Sequence, residues 1–216
     1  MEKRTDNPSL SYQAAARGLM VLDKFPFGRV TASGLENIAD EGPQLFAYSH
    51  HNSWDVPGLG LAVFRYNRRM VHFLAKEELL GKLAVGPLLR SMQALPINRD
   101  GNATTSQLRE ALRVLEEGGL LALAPEGGRV NGPKIAELKG GVGFLAVRGS
   151  ASVVPIGIAG KNLAPPAGPF LPRPMHLHFG EPLTATGKAG RQAIDRELHP
   201  ALQEALDTAD RLSSFS

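Results

Sequence analysis

An α/β fold is predicted for this chain: one domain with a central mixed, largely parallel sheet flanked by helices. Short apolar runs of strand length alternate with stretches of helical periodicity along the sequence. "GLLALAP" (119–125) is apolar on both faces, as a strand between two helical layers must be. "MHLHFG" (175–180) instead alternates apolar and polar residues, which predicts an exposed or edge strand.

The elements follow in order. Residues 1–28 are expected to form an N-terminal helical segment apposed to a membrane, and residues 29–216 the main domain. Residues 9–27 fit one amphipathic helix with Leu19, Met20, Val21 and Leu22 near its end. Strands are predicted at "RVTAS" (29–33), "QLFAYS" (44–49), "MVHFLA" (70–75), "MQALPI" (92–97), "GLLALAP", "SVVPIGI" (152–158) and "MHLHFG". The clearest helix runs over 104–117: Thr104 or Thr105 caps it, Leu108, Leu112 and Leu115 share a stripe beside Ala111 and Val114, and Gly118 and Gly119 end it. A second, over 190–212, repeats the pattern with Ile194, Leu198, Leu202, Leu206 and Ala209, and Pro200 is expected to kink or split it. "NLAPPAGPFLPRP" (162–174) is too rich in proline for anything but a loop. Its Phe170 and Leu171 beside Arg173 suit an anionic interface.

Composition narrows the chemistry. The chain of 216 residues is 43% hydrophobic and 21% charged, enough for a real core and too apolar for disorder. It has no cysteine, which removes disulfides, thiolate metal sites and cysteine nucleophiles together. "MEKRTDNPSLSYQ" lacks the apolar stretch of a signal peptide, and no apolar run reaches the roughly 18–20 residues that cross a bilayer. A cytoplasmic protein, peripheral on the inner face of the membrane, is expected. Formal charge is +3, with Arg65, Arg68 and Arg69 clustered in "FRYNRRM", either a solvated loop or a surface for an anionic partner. No helix-turn-helix or finger pattern supports nucleic acid.

"SHHNSWD" (49–55) concentrates protonatable groups between a predicted strand and a predicted helix start. A carboxylate at Asp55 would sit where free N–H groups and the helix dipole favour it, and would orient a nearby imidazole as a general base. His50 and Asp55 are five residues apart, about 140° on a continuous helix, so they meet only if the loop turns between them. His51 and Asp55, four apart, meet on a regular helix, which makes His51 a rival base. A metal reading through His50, His51 and Asp55 lacks a third histidine at a useful spacing, and none is expected. Farther on, "LPINRD" (95–100) delivers Arg99 at a strand end, where it suits a phosphate clamp. "APEGGRV" (124–130) follows the probable central strand with Glu126, Arg129 and two glycines, of which Gly127 allows close backbone approach. "LKGGVGFLAVRG" (138–149) places Lys139 before a helical run. "GVGFLA" lacks the acidic residue of a dinucleotide site, and neither a P-loop nor a G-x-S-x-G elbow is present.

In this order the motifs resemble the glycerolipid acyltransferases, the lysophospholipid or acylglycerol-phosphate acyltransferase family. Its H-x-x-x-x-D hallmark corresponds to His50 and Asp55; "LPINR" resembles its second block, "APEGGR" its third, Lys139 and Gly140 the lysine–glycine step, and "VVPIGI" its fourth. The resemblance covers about residues 30–185. Ser49 stands where the family often has asparagine, Ala124 replaces the usual aromatic residue, and Gly128 the usual threonine or serine.

The resemblance implies transfer of a fatty acyl group from a thioester, on coenzyme A or acyl carrier protein, to a hydroxyl of a lysophospholipid such as lysophosphatidic acid. No cofactor is implied beyond the acyl donor itself. His50 would be the base and Asp55 its orienting acid, with backbone N–H groups near the helix start holding the oxyanion. Arg99, Arg129 and Lys139 would hold the acceptor's phosphate, and Glu126 would bind an acceptor hydroxyl or brace Arg99. An acyl thioesterase and a catalytically silent lipid-binding homologue are the competing expectations.

Overall fold

The computed structural model describes residues 8–22, 29–81, 86–97, 104–160, 174–184 and 186–214. Seven strands form one sheet: β1 (Val30–Ser33), β2 (Gln44–Tyr48), β3 (Val71–Lys76), β4 (Leu95–Ile97), β5 (Leu120–Leu123), β6 (Ser152–Gly160) and β7 (Met175–Phe179). Their order is β1-β7-β6-β2-β5-β3-β4. From β6 to β4 all neighbours are parallel; β7 runs antiparallel to β6 and carries β1 parallel beside it. The helices are α1 (Leu10–Leu22), α2 (Asp55–Asn67), α3 (Glu77–Leu80), α4 (Gly86–Ser91), α5 (Thr105–Glu116), α6 (Val142–Arg148) and α7 (Gly187–Ser213).

Strand alternation sorts the core into two layers. Phe46 and Tyr48 of β2 face the layer that holds Tyr12 of α1 with Leu59, Val63 and Phe64 of α2. Leu45 and Ala47 face the opposite layer, built from Ala111 and Leu115 of α5, Leu145 of α6, and Ile194 and Leu198 of α7. The Tyr12 ring packs edge-on to Phe64 at 6.0 Å, and burial pushes its hydroxyl up to about 12. In α5 the Thr104 hydroxyl accepts from the Gln107 N–H while the Gln107 side chain accepts from the Thr104 N–H, a capping box. Ala111, Val114 and Leu115 are its buried residues; Leu108 and Leu112 pack at the margin.

Three expectations need correction. α7 is a single helix of 27 residues with Pro200 inside it. Pro200 therefore does not split the helix, and it lies on its exposed side. Second, β7 is neither exposed nor an edge: it lies between β1 and β6, and Met175, Leu177 and Phe179 are buried. Its histidines are accommodated by hydroxyls on β1. The Thr31 hydroxyl donates to the Met175 carbonyl (3.3 Å) and accepts from His176 Nδ1 (2.9 Å). Ser33 Oγ then donates to His176 Nε2 and accepts from His178 Nδ1, both at 2.9 Å. Third, the basic cluster is not one surface. Arg69 is buried, donating to the carbonyls of Ala39 (2.9 Å), Gly42 (2.8 Å) and Gly118 (2.6 Å), while Arg68 lies 5.0 Å from the centre of the Phe64 ring.

The histidine–hydroxyl chain uses every proton with both imidazoles neutral. Burial holds His176 below the usual imidazole range, reinforced by His178. Burial also lowers His178, opposed by Glu36, Glu204 and Glu181 and reinforced by Arg211. Such groups bind protons more readily unfolded than folded. Their contribution to stability is therefore full above the ordinary imidazole value of 6.5 and is lost as pH falls below it toward the folded values. Urea midpoints of the chain and of a His176→Asn/His178→Asn variant, measured from pH 8 to 5, are expected to show a steeper acid-side loss in the unsubstituted chain. Parallel profiles would show that the pair contributes no pH dependence.

Candidate functional site

The site begins at the register of β2 and β5. Ala47 pairs with Leu123 in parallel strands, so the chain leaves both at the same edge of the sheet. Three residues beyond that pair, in the loops that follow the two strands, stand His50 and Glu126. The His50 N–H donates to Glu126 Oε2 (3.2 Å), and the Val130 N–H donates to the His50 carbonyl (2.8 Å). Ser49 anchors the loop from the other side, its hydroxyl accepting the Ile158 N–H of β6 at 2.9 Å.

After His50 the chain turns, and α2 starts at Asp55, which is fully buried. Asp55 Oδ2 accepts three hydrogen bonds: from His50 Nδ1 (3.0 Å) and from the main-chain N–H groups of His51 (2.6 Å) and Asn52 (2.8 Å). The loop thus makes the turn that the five-residue offset demands. A carboxylate accepting at Nδ1 leaves the lone pair of the neutral imidazole on Nε2. The His50 side chain is 13% exposed, and its ring meets the Tyr48 ring edge-on at 5.6 Å.

His51 takes a different course. Its Nδ1 donates to the Val130 carbonyl at 3.0 Å, and its Nε2 is buried with no hydrogen-bond partner among the described residues. The two adjacent histidines are thereby separated: His50 reaches the acid, and His51 ties its loop to the one after β5. Several main-chain N–H groups ahead of α2 already have acceptors. The N–H groups of His51 and Asn52 are taken by Asp55, and that of Trp54 by Asn52 Oδ1 at 2.6 Å. Main-chain groups at these three positions are therefore already committed.

The other sequence-predicted residues divide. Glu126 is 8% exposed, and its second oxygen accepts the Ala136 N–H at 3.0 Å. Gly127 has a φ of 77°, and a Cβ there would fall 2.6 Å from Lys139 Cδ, so glycine lets the lysine lie against the loop. The Lys139 N–H donates to the Pro125 carbonyl at 2.8 Å. Arg129 is exposed and reaches Ser53 Oγ at 3.4 Å. Arg99, which follows β4, lies outside the described residues, as do Phe170, Leu171 and Arg173. Among the described residues no group of three His, Asp or Glu side chains is arranged to hold a metal ion.

Gly127 and Lys139 also line a cavity of about 600 Å³ on the α5–α6 side of the sheet. Its walls are mainly apolar: Leu74, Leu108, Leu123, Phe144 and Leu145. Arg191 of α7 reaches it as well, with its guanidinium 5.7 Å from the centre of the Phe144 ring. No motif marked Arg191, because only the packing of α7 against α6 brings it there.

Known proteins resemble this chain in sequence and in fold. The 1-acyl-sn-glycerol-3-phosphate acyltransferase of Bacillus subtilis (strain 168) is 29% identical over 196 residues, 91% of this chain and 93% of that protein. The chloroplastic 1-acyl-sn-glycerol-3-phosphate acyltransferase LPAT1 of Arabidopsis thaliana is 24% identical over 146 residues, 67% of this chain and 40% of the plant protein. The crystal structure of the 1-acyl-sn-glycerophosphate (LPA) acyltransferase PlsC of Thermotoga maritima shares the fold, with a TM-score of 0.66 at 23% identity over 89% of this chain and 78% of that one. The Acyltransferase family pattern itself matches residues 29–159. A match running from β1 into β6, and taking in both loops that meet at His50, shows that the chain belongs to the acyltransferase family.

Proposed function

We propose that this acyltransferase moves a fatty acyl group from an acyl thioester, on coenzyme A or acyl carrier protein, to the free hydroxyl of a lysophospholipid such as lysophosphatidic acid. The observation that carries this reading is the His50–Asp55 pair at 3.0 Å, with Nε2 left as the proton acceptor. Nε2 removes the proton of the acceptor hydroxyl as its oxygen bonds to the thioester carbonyl carbon. The resulting imidazolium is stabilised by Asp55. The tetrahedral intermediate collapses by breaking the carbon–sulfur bond, and the departing thiolate takes the proton back from Nε2. Ester and free thiol result, the enzyme is restored, and no covalent enzyme intermediate is needed.

The surroundings suit both substrates. The cavity on the α5–α6 side has mainly apolar walls, which suit a hydrocarbon chain. Arg129 and Lys139, with Arg99, supply positive charge for the acceptor's phosphate, and Gly127 lets the backbone approach it. No helix among the described residues is long and apolar enough to cross a membrane. On α1, however, Leu10 (85% exposed), Arg17 and Val21 (58% exposed) share one face, an apolar surface with a cation that fits the inner, anionic face of a membrane.

The test is thiol release from acyl-coenzyme A and from acyl carrier protein, with a panel of lysophospholipid acceptors in anionic or uncharged vesicles. Release is expected to depend on acceptor and to be faster on anionic vesicles. Release independent of acceptor would make the chain a thioesterase, and no release a silent binding protein. Equal rates on the two vesicle types would remove the α1 face from the reading.

A further inference from the structure

Glu126 resembles, by motif, a residue that touches the acceptor. Its geometry gives it other work. Both carboxylate oxygens are already occupied by main-chain donors from two separate loops: Oε2 by the His50 N–H at 3.2 Å and Oε1 by the Ala136 N–H at 3.0 Å. The side chain is 8% exposed, so a substrate hydroxyl meets little of it. The bonds around it form a consistent set. The His50 carbonyl accepts the Val130 N–H at 2.8 Å, and the Val130 carbonyl accepts His51 Nδ1 at 3.0 Å. Both main-chain groups of His50 are therefore held by the loop that follows β5. Asp55 holds the imidazole of His50 and the N–H groups of the next two residues.

We infer that Glu126 is a positioning residue: it fixes the main chain of His50 so that the imidazole meets Asp55, and it does not bind the acceptor. This rests on the acyl-transfer reading for its kinetic arm alone. A carboxylate suits the task because it offers two acceptors, each able to take a main-chain N–H without supplying a competing donor. Glutamine keeps one acceptor and puts an NH₂ group against the other N–H. Aspartate is shorter by one methylene and does not span both loops.

The experiment compares the unsubstituted chain with Glu126→Gln, Glu126→Asp and Glu126→Ala, all as full chains. Turnover is measured against acceptor concentration, and the hydrogen-bonded His50 Nδ1 proton is followed by NMR, assigned by its loss in His50→Ala. Positioning predicts a fall in kcat of about a hundredfold for Glu126→Ala, from misplacement of the base, with acceptor KM within about twofold. Glu126→Gln falls between Glu126→Ala and the unsubstituted chain, and the Nδ1 resonance is lost or shifted in each variant. A rise in acceptor KM with kcat and the resonance unchanged would overturn the inference and make Glu126 an acceptor ligand. Unchanged kinetics would overturn it too. Should Glu126→Ala not fold, Glu126→Gln carries the same comparison with nearly the same volume. If the unsubstituted chain transfers acyl groups to no acceptor, the functional reading fails while the resonance still decides the role of Glu126.

Discussion

Replacing His50 by alanine is expected to lower kcat by about 10²–10⁴-fold, the usual contribution of a positioned general base, with little change in melting temperature. The second half of that expectation comes from the bonding pattern. Among the described residues the imidazole makes a single hydrogen bond, to Asp55 Oδ2, and the same oxygen keeps the N–H groups of His51 and Asn52 when the ring is gone. The Glu126 and Val130 contacts of residue 50 use main-chain atoms, which alanine retains. Turnover and thermal melting measured on the same preparation separate a lost base from a lost fold. The decisive control is His51→Ala. His51 donates from Nδ1 to Val130 and buries Nε2, so its removal is expected to slow the enzyme less. A dead His51→Ala beside an active His50→Ala would reverse the assignment.

Asp55 supports a larger structural consequence. Asp55→Ala is expected to lower the unfolding free energy by about 2–6 kcal/mol, because two main-chain N–H groups lose their acceptor at roughly 1–3 kcal/mol each, and to abolish detectable turnover. Asp55→Asn is the informative variant. Its oxygen can take the place of Oδ2 and keep all three donors, so the fold is expected to survive. What it lacks is the negative charge that stabilises the imidazolium. A kcat about 10²–10⁴-fold lower with a near-normal urea midpoint is therefore expected. An Asp55→Asn chain with unsubstituted kcat would show that the charge plays no part in the reaction.

The legible and illegible parts of this chain divide by sequence distance and by what a side chain is bonded to. His50 and Asp55 lie in one loop, so their partnership was readable from offset and turn requirement. The strand runs were readable because burial on one or both faces writes its own period. Glu126, by contrast, meets a main-chain N–H 76 residues away. Composition carries no trace of a main-chain partner, so that contact could not be read from the motif. Arg69 stands among surface-looking arginines, yet three carbonyls from distant turns solvate it inside the protein. The alternation of "MHLHFG" was read as exposure because histidine is polar. The hydroxyls that let it be buried lie on β1, about 145 residues earlier in the chain. Pro200 does not split α7, and the proline stands on the exposed side of a continuous helix.

One contact gives the C-terminal helix a further meaning. A Cβ at Gly157 would lie 2.2 Å from the main chain of Ala205, so β6 and α7 touch backbone to backbone, and Leu202, Leu206 and Ala209 close over Ala159. The recognisable family segment stops at residue 159, before any of those helical residues. A fragment trimmed to that segment would lose β7 as well as α7, leaving β6 an uncovered edge strand prone to self-association. Expression trials, chimeras and crystallisation variants should therefore carry the chain through Ser213, treating the last helix as an integral wall of the catalytic unit.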